Sequence, residues 1–200
     1  MRAGSRRADP LSATTRERLI EAAADVIAEE GYDRAGVQEI ARRAGLTNGA
    51  IYANFRDKSE LLAEAVETGL TRLFGVMDEA HTAGASAAQV IEMVGRTLAL
   101  YTPARNRTLL SEALAAARRD PDVGLRVRQL LGSLETRVTS TVAEARQDGD
   151  IAEDVDPVAA ARFGVALAIG YHMTYTTGMP EPDHAAWTRL MTRVIAALRA

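Results

Sequence analysis

Apolar residues recur at helical spacing along almost the whole 200-residue chain. In the first such stretch, Leu19, Ile20, Ala23 and Ile27 fall on one face of a helix. No stretch alternates apolar and polar residues between hairpin turns, as an antiparallel strand would. Because 47% of the residues are hydrophobic, the chain can bury a sizeable core. We therefore predict an all-α protein of about nine helices.

Glycine, proline and capping residues divide this pattern into separate helices. A glycine after a helical stretch predicts its end, and an Asp-Pro pair predicts an N-cap followed by proline at the first helical position. The predicted ends are Gly31, Gly45 and Pro103, and the predicted starts are Asp57 with Glu60, Ser86 with Gln89, Asp120-Pro121 and Asp156-Pro157. The two spaced pairs also have the separation of a capping box.

The distribution of charge bears on the class of partner. A net charge of −3 argues by itself against a nucleic-acid partner. Within residues 42–58, however, the net charge is +3, from Arg42, Arg43, Arg56 and Lys58 against Asp57. A local basic patch attracts phosphate even when the whole chain is acidic.

Residues 37–55 have the spacing of a helix-turn-helix. Such a motif needs a small residue where the helices cross, a glycine in the left-handed turn and a branched apolar residue that packs the second helix on the first. Ala41, Gly45 and Ile51 supply these three features at the right separations. Thr47 would be the N-cap of the second helix, whose first residues would face the major groove of DNA.

Polar groups on and after the second helix suit contacts with a duplex. Phosphate contacts position a protein without specifying sequence, whereas amide side chains can read adenine edges. The groups suited to phosphate are the Thr47 hydroxyl, the Gly49 backbone N–H, the Tyr52 hydroxyl and the Lys58 ammonium. The amides belong to Asn48 and Asn54. Arg42 and Arg43 fit this patch and an ordinary solvated face about equally well.

The segment LIEAAADVIAEEGYDRAGVQEIARRAGLTNGAIYANFRDKSELL resembles the DNA-binding region of TetR-type transcriptional repressors. The match includes EGY after the first helix, the IARRAGLT turn, the GAIYANF helix and the DKSELL that follows. The resemblance implies an all-helical homodimer whose C-terminal domain binds a small effector that releases the DNA. It places the DNA contacts on Thr47, Asn48, Gly49, Tyr52, Asn54 and Lys58.

Two positions depart from the family pattern. The family usually has Thr or Ser where this chain has Ala35-Gly36, before the helix that begins near Val37. Glycine is a tolerable N-cap, so we expect a slightly weaker cap and the same fold. A histidine is common in the family at position 54, and Asn54 leaves the base contact there open.

With the resemblance, the chain divides into a flexible arm over residues 1–12, a helix-turn-helix domain over 13–57 and an effector-binding and dimerisation domain over 58–200. The arm carries Arg2, Arg6 and Arg7, which fit a disordered tail better than a minor-groove contact. Residues 158–178 are apolar on most sides, so we predict that they and residues 184–199 meet their copies in a four-helix interface. The predicted interface residues are Ala161, Gly164, Val165, Ala168, Trp187, Leu190, Met191, Val194 and Ile195.

A helical cavity with an apolar lining and a few polar tips is the default small-molecule site. The candidate effector residues are Phe74, Met77, His81, Met93, Tyr101, Tyr171, His172 and Tyr175. Plain core packing is the alternative for each of them. We expect a mainly apolar effector and a fourth helix that acts as the lever between the cavity and the DNA.

Several classes of function lack support in the sequence. The chain has no cysteine, its three histidines lack metal-ligand spacing, and neither a Ser-His-Asp set nor a phosphate-binding glycine loop stands out. We therefore expect no enzyme, no metal and no cofactor. Without a signal peptide or a run of about 18 apolar residues, we expect a cytoplasmic protein with no membrane contact. Two alternatives stay open: an activator or corepressor-dependent repressor on the same fold, and a helical carrier or enzyme that has lost DNA binding.

Overall fold

The computed structural model describes residues 10–97 and 103–199, with the side chains of 10–14, 72, 73 and 97 left out. Over these ranges the chain forms nine α-helices and no strand. The helices are α1 Pro10–Glu30, α2 Val37–Arg43, α3 Asn48–Asn54, α4 Lys58–Thr82, α5 Ala87–Thr97, α6 Ala104–Ala116, α7 Pro121–Gln147, α8 Pro157–Thr176 and α9 His184–Ala196. The all-α prediction is confirmed. No helix in the described part of the chain is long and apolar enough to span a bilayer.

The helices start where the capping residues predict. Asp57 accepts a hydrogen bond from the backbone N–H of Glu60 at 2.7 Å, and Asp156 accepts one from Ala159 at 2.7 Å. Ser86 and Gln89 form a reciprocal capping box at the start of α5. Each of these bonds satisfies a backbone N–H that has no partner within its helix. Gly36 is the N-cap of α2 and forms no side-chain bond, as expected of glycine.

One large core joins the helix-turn-helix region to the helices beyond it. Its buried residues come from α1 to α4 and also from α6 and the first turns of α7. Leu109 and Ala113 of α6 and Val123 of α7 lie in this core, each almost fully buried. The predicted domain boundary after residue 57 therefore does not coincide with a gap in packing. A second, smaller core is centred on Ala87, Val142, Ala145 and Ile151.

Helix α6 is the element that packs both on α1 and on α8. Its first turn is tied to α1 because the Arg105 guanidinium lies 2.7 Å from Glu21 and 2.8 Å from Asp25. The Glu112 carboxylate accepts a hydrogen bond from the Tyr32 backbone N–H at 2.7 Å, after the end of α1. Helix α6 therefore holds the DNA-facing helices against the C-terminal half.

The last three residues of the predicted arm, 10–12, belong to a helix, because α1 begins at Pro10. Proline is favoured at the first position of a helix because the N–H that it lacks would have no intrahelical partner. The three arginines predicted to belong to the arm lie outside the described residues.

Candidate nucleic-acid interface and internal cavity

Helices α2 and α3 form the predicted helix-turn-helix. Ala41 and Ile51 are almost fully buried where the two helices meet. Gly45 has a φ of 65°, the left-handed conformation that the turn requires and that other residues rarely adopt. A Cβ at Gly45 would also lie 2.9 Å from Nη2 of Arg18, which donates a hydrogen bond to the Ala44 carbonyl. The flexible Arg18 side chain could move aside, so glycine is needed here mainly for its conformation.

The first turn of α3 presents an exposed polar face. Thr47, Asn48 and Gly49 are exposed, and the Tyr52 side chain is 63% exposed. Thr47 occupies the predicted N-cap position with extended backbone, but its hydroxyl forms no capping hydrogen bond. A hydroxyl not engaged in the cap can donate to a phosphate oxygen. The surface formed by Thr47, Asn48, Gly49 and Tyr52 is called the α3 face below.

The other amide predicted to read a base is turned back on its own helix. Nδ2 of Asn54 donates to the Ala50 carbonyl at 2.8 Å, and the Asn54 carbonyl accepts a hydrogen bond from Arg16. Asn54 is also partly buried at the end of α3. Asn48, on the exposed first turn, is therefore the better placed amide.

The two arginines that end α2 are paired with carboxylates on the surface. Arg42 donates twice to Glu39, at 2.7 Å each, and Arg43 reaches Glu29 at 2.7 Å and Glu39 at 3.4 Å. These pairs lower the pKa of Glu39, with the Arg42 hydrogen bond as the main cause. Exposed pairs of this kind contribute little to stability, so both guanidinium groups can exchange their carboxylates for phosphate.

The Lys58 ammonium has three backbone partners within the protein. Its Nζ donates to the carbonyl oxygens of Tyr32 at 2.6 Å, Ala35 at 3.2 Å and Asp33 at 3.4 Å. It also lies 4.4 Å from the centroid of the Tyr32 ring. Burial lowers its pKa. Lys58 therefore ties the start of α4 to the loop between α1 and α2, and a phosphate contact would compete with those carbonyls.

A cavity of about 150 Å³ lies between α4, α5, α7, α8 and α9. Its lining is almost entirely apolar. Among the described lining residues only Thr141, Tyr171 and Trp187 carry polar side-chain atoms. The Thr141 hydroxyl donates to the Arg137 carbonyl at 3.2 Å. The Tyr171 hydroxyl and the Trp187 indole N–H are buried, and no residue in the described part of the chain forms a hydrogen bond with either.

Comparison with known families decides the class of protein. The model for bacterial regulatory proteins of the tetR family matches residues 19–65, and the model for the tetracyclin repressor-like C-terminal domain matches residues 108–190. Together they span the helix-turn-helix, all of α7 and α8 and the first half of α9. The chain belongs to the TetR family. It is a DNA-binding transcriptional regulator of the ligand-responsive repressor type.

Relatives from several bacteria align over most of the chain. The fatty acid metabolism regulator protein of Bacillus subtilis is 25% identical over 139 residues, which are 69% of this chain and 71% of that protein. A Rhodococcus sp. structure assigned to the TetR family superposes with a TM-score of 0.83 at 20% identity, covering 94% of this chain and 100% of the other. The structure of FadR from Bacillus subtilis in complex with stearoyl-CoA superposes with a TM-score of 0.71 at 20% identity. The alignment covers 92% of this chain and 99% of the other. At such identities these two structures show the fold alone.

Two of the predicted effector residues, Met77 and Tyr171, line the cavity of this TetR-family protein. Three others do not line it, and their role in effector binding stays a prediction. The His81 side chain is exposed, with Nε2 3.7 Å from Glu144. Met93 borders a surface depression beside His184, and Phe74 packs under the Arg137 guanidinium at 4.9 Å. Helical periodicity assigned these residues to apolar helix faces, but it could not show which faces border the cavity.

The last three effector candidates lie elsewhere. His172 is buried but does not line the cavity. Tyr175 borders an open groove, with the Arg107 guanidinium 4.4 Å from its ring centroid. Tyr101 lies outside the described residues.

The predicted dimer residues divide into two sets. Ala161, Val165 and Met191 are buried inside the protomer and offer little surface to a partner. Their assignment to the interface stays a prediction. Gly164 and Leu190 are exposed, whereas Ala168, Trp187, Val194 and Ile195 are partly buried and line the cavity. Helix α8 is apolar on most sides, so its sequence could not show which side faces inward.

Three residues beside the cavity or near α8 were not predicted from the sequence: Gly95, Thr141 and Arg107. A Cβ at Gly95 would lie 2.8 Å from Cδ1 of Ile195, so glycine lets α5 approach α9 beside the cavity. A glycine inside an otherwise amphipathic helix is a signal of such an approach. Arg107 is buried near α8, and no local pattern distinguishes it from the exposed arginines.

Gly49→Ala is expected to preserve stability and weaken DNA binding. A Cβ at Gly49 would lie 3.7 Å from the Thr47 hydroxyl oxygen, an ordinary contact, and no other atom of the described residues would lie within 4 Å. Alanine is the better helix former, so the free energy of unfolding should stay the same or rise by no more than about 1 kcal/mol. A methyl on the α3 face would hold the DNA backbone away. Urea unfolding and DNA titration measure the two effects.

Gly132→Ala is the matched control, because Gly132 is an exposed glycine of α7 and a Cβ added there would lie more than 4 Å from every described neighbour. It should leave DNA affinity unchanged. Equal DNA affinity of Gly49→Ala and the wild type would remove Gly49 from the interface.

Proposed function

We propose that this TetR-family protein acts in the cytoplasm as a homodimeric repressor that an effector releases from a near-palindromic operator. It acts by binding and catalyses no reaction. The observation that carries the proposal is the α3 face, where a Thr47 hydroxyl without a capping bond, an exposed Asn48 and a 63% exposed Tyr52 lie together at the start of one helix. Exposed groups of this kind on a recognition helix suit the major groove.

An exposed apolar stripe on α8 supports the second subunit. Phe163 and Met173 are 57% and 39% exposed, and Ala166 and Gly170 between them are also exposed. These positions recur three and four residues apart, so they form one helix face. Leu190 of α9 is also exposed. Contiguous apolar surface of this kind marks an interface, and a second copy of the chain would cover it.

The cavity supports an effector that is mainly apolar. Its lining offers few polar groups, and it includes Met77 of α4, the helix that begins at Lys58 beside the helix-turn-helix. The structure of the Bacillus subtilis FadR relative contains stearoyl-CoA, a ligand with a long apolar part. We propose that the effector favours a dimer whose α3 faces are wrongly spaced for successive major grooves, about 34–36 Å apart. Both α4 and α6 would transmit that change.

The experiment that tests this proposal is selection of bound duplexes from a random DNA library by the purified protein at about 0.1 M salt. The expected result is enrichment of a near-palindrome with half-sites about one helical turn apart. Weak binding without an enriched sequence, lost on raising the salt, would mean that the basic patch acts only by electrostatics.

Asn48→Ala is expected to weaken binding to the selected operator by about 1–3 kcal/mol and to leave binding to random DNA unchanged. The reason is that an amide reading an adenine edge contributes only where that base is present. Titration of labelled duplexes measures both affinities. Gln129→Ala, an exposed amide on α7, is the control and should change neither. An equal loss on both duplexes would assign Asn48 to the DNA backbone.

A further inference from the structure

Arg107 is a buried cation beside the C-terminal half of α8. It is only 7% exposed, lies on α6, and stacks its guanidinium on the Tyr175 ring. It forms an ion pair with Glu181. A buried charge is costly unless it is paired, so the Arg107 position requires a neighbouring anion.

The carboxylate that supplies this anion comes from an exposed segment. Glu181 lies in the irregular stretch 177–183 between α8 and α9, where every residue is exposed. Its own side chain is 46% exposed. By contrast, Arg105, two residues earlier on α6, pairs with carboxylates held within helix α1. The Glu181 carboxylate can therefore move away from Arg107 without disturbing a helix.

Three buried polar atoms near this pair have no hydrogen-bond partner among the described residues. They are the Tyr171 hydroxyl, Nδ1 of His172 and the indole N–H of Trp187. The ring centroids of Tyr171 and Trp187 lie 4.7 Å apart, and those of Tyr171 and His172 lie 6.1 Å apart. Buried polar atoms without partners are rare and costly, and one explanation is a ligand that supplies the missing bonds.

Tyr171 connects this cluster to the cavity. It lines the cavity, and the charges of both Glu181 and Arg107 act on its hydroxyl: burial and Glu181 raise its pKa, whereas Arg107 lowers it. An open groove of about 630 Å³, bordered by Thr108, Tyr175, Met179 and Glu181, leads to the pair from solvent. The open groove, the buried Arg107 and the apolar cavity are therefore neighbouring parts of one region.

We propose that Glu181 occupies an anion site that belongs to the effector, and that a carboxylic acid ligand replaces it on Arg107. The apolar body of the ligand would fill the cavity, and Tyr171 and Trp187 would donate hydrogen bonds to its polar end. The inference rests on the proposed function, because it assumes that this cavity is the effector site. The group now on Arg107 is itself a carboxylate, which is why the proposal names a carboxylic acid.

The cavity size limits the apolar body of the ligand. A cavity of about 150 Å³ is of the order that accepts a benzene ring in an engineered protein interior. A compact monocarboxylic acid, aromatic or short-chain, fits this volume. On binding, Glu181 would return to water, where a carboxylate is well solvated.

The test uses the full-length protein and the fluorescence of Trp187, the only tryptophan of the chain. The probes are benzoate and hexanoate, with benzamide and hexanamide as neutral counterparts. Both acids are expected to bind and the amides to bind at least tenfold more weakly, because charge-assisted bonds to a buried guanidinium are stronger than neutral ones. Glu181→Gln should tighten binding of the acids about fivefold, since it removes the internal competitor.

Glu153→Gln, which changes another exposed carboxylate, is the matched control and should leave every affinity unchanged. Arg107→Gln should abolish the preference for acids over amides. Failure of both acids to bind Glu181→Gln, or equal affinity of acids and amides for the wild type, overturns the proposal. Unchanged acid affinity in Glu181→Gln also overturns it.

A DNA titration separates this proposal from the proposed function. Acids that bind with the expected Glu181→Gln effect but do not release operator DNA would support the anion site and contradict ligand release. Normal operator binding together with no acid binding would contradict the anion site alone.

Discussion

Replacing Leu109 by alanine is expected to lower the free energy of unfolding by about 3 kcal/mol, within the range of about 2–5 kcal/mol for buried leucines. Leu109 is 1% exposed and belongs to the core that α6 shares with α1 to α4. The substitution removes apolar contacts and leaves a cavity where both halves of the protein meet. Urea unfolding followed by circular dichroism, at one fixed protein concentration, measures the loss.

Leu125→Ala is the matched control, because Leu125 of α7 is 49% exposed. It should change the free energy of unfolding by no more than about 0.5 kcal/mol.

The helices that Leu109→Ala destabilises can also be predicted. Since Leu109 packs in the shared core, its loss should speed hydrogen exchange in α1 to α3 as well as in α6. Unchanged exchange in α1 to α3 would mean that the helix-turn-helix is stable without α6.

Stability is expected to fall by about 2 kcal/mol between pH 7 and pH 5 because of one histidine. Burial, with a further contribution from the Arg107 charge, lowers the pKa of His172 to about 4 from the ordinary value of 6.5. Between these two values the unfolded chain binds a proton at this site and the folded protein does not. The stabilisation that comes from the neutral, buried His172 is therefore complete above pH 6.5. It is lost progressively as the pH falls towards 4.

Urea unfolding at pH 7, 6 and 5 measures this dependence. His172→Gln should remove it, whatever its effect on stability at pH 7, because glutamine does not titrate. His81→Gln, at an exposed side chain, should keep the wild-type dependence. The same slope in His172→Gln and the wild type would show that other groups cause it. Above pH 5 the carboxylates whose pKa is lowered, among them Glu39, Asp57 and Glu60, stay ionised and contribute little to the slope.

The neutral state of His172 also bears on the proposed anion site. A charged imidazole beside Arg107 would compete for the same carboxylate. Because His172 stays neutral at pH 7, Arg107 is the cation that the effector acid would meet there.

The sequence by itself determined the helices and the helix-turn-helix. Helix starts at Asp57, Asp120 and Asp156 and the turn at Gly45 follow from the capping residues and the one glycine that the turn requires. Such signals act within a few residues of chain, so a single sequence carries them in full. The exposure of Thr47, Asn48 and Tyr52 could also be predicted, because the spacing of the helix-turn-helix fixes which side of α3 is exposed.

Only the tertiary structure decided which groups meet across long separations. Lys58 reaches carbonyl groups 23 to 26 residues away, and Arg107 pairs with Glu181 at a separation of 74 residues. Both partners of each pair are charged or polar, and nothing in their local sequence selects one arrangement. The cavity is a further case, because five helices contribute to it and each shows only its own periodicity.

Helix α8 shows the physical reason most directly. Its residues are apolar on most sides, so the hydrophobic effect favours burial of every face and its periodicity gives no inward direction. Packing against α6 and α7 buries Ala161 and Val165 and leaves Phe163 and Met173 exposed. A local pattern sets where a helix begins and ends, whereas the neighbours that it meets in the fold set what each of its faces does.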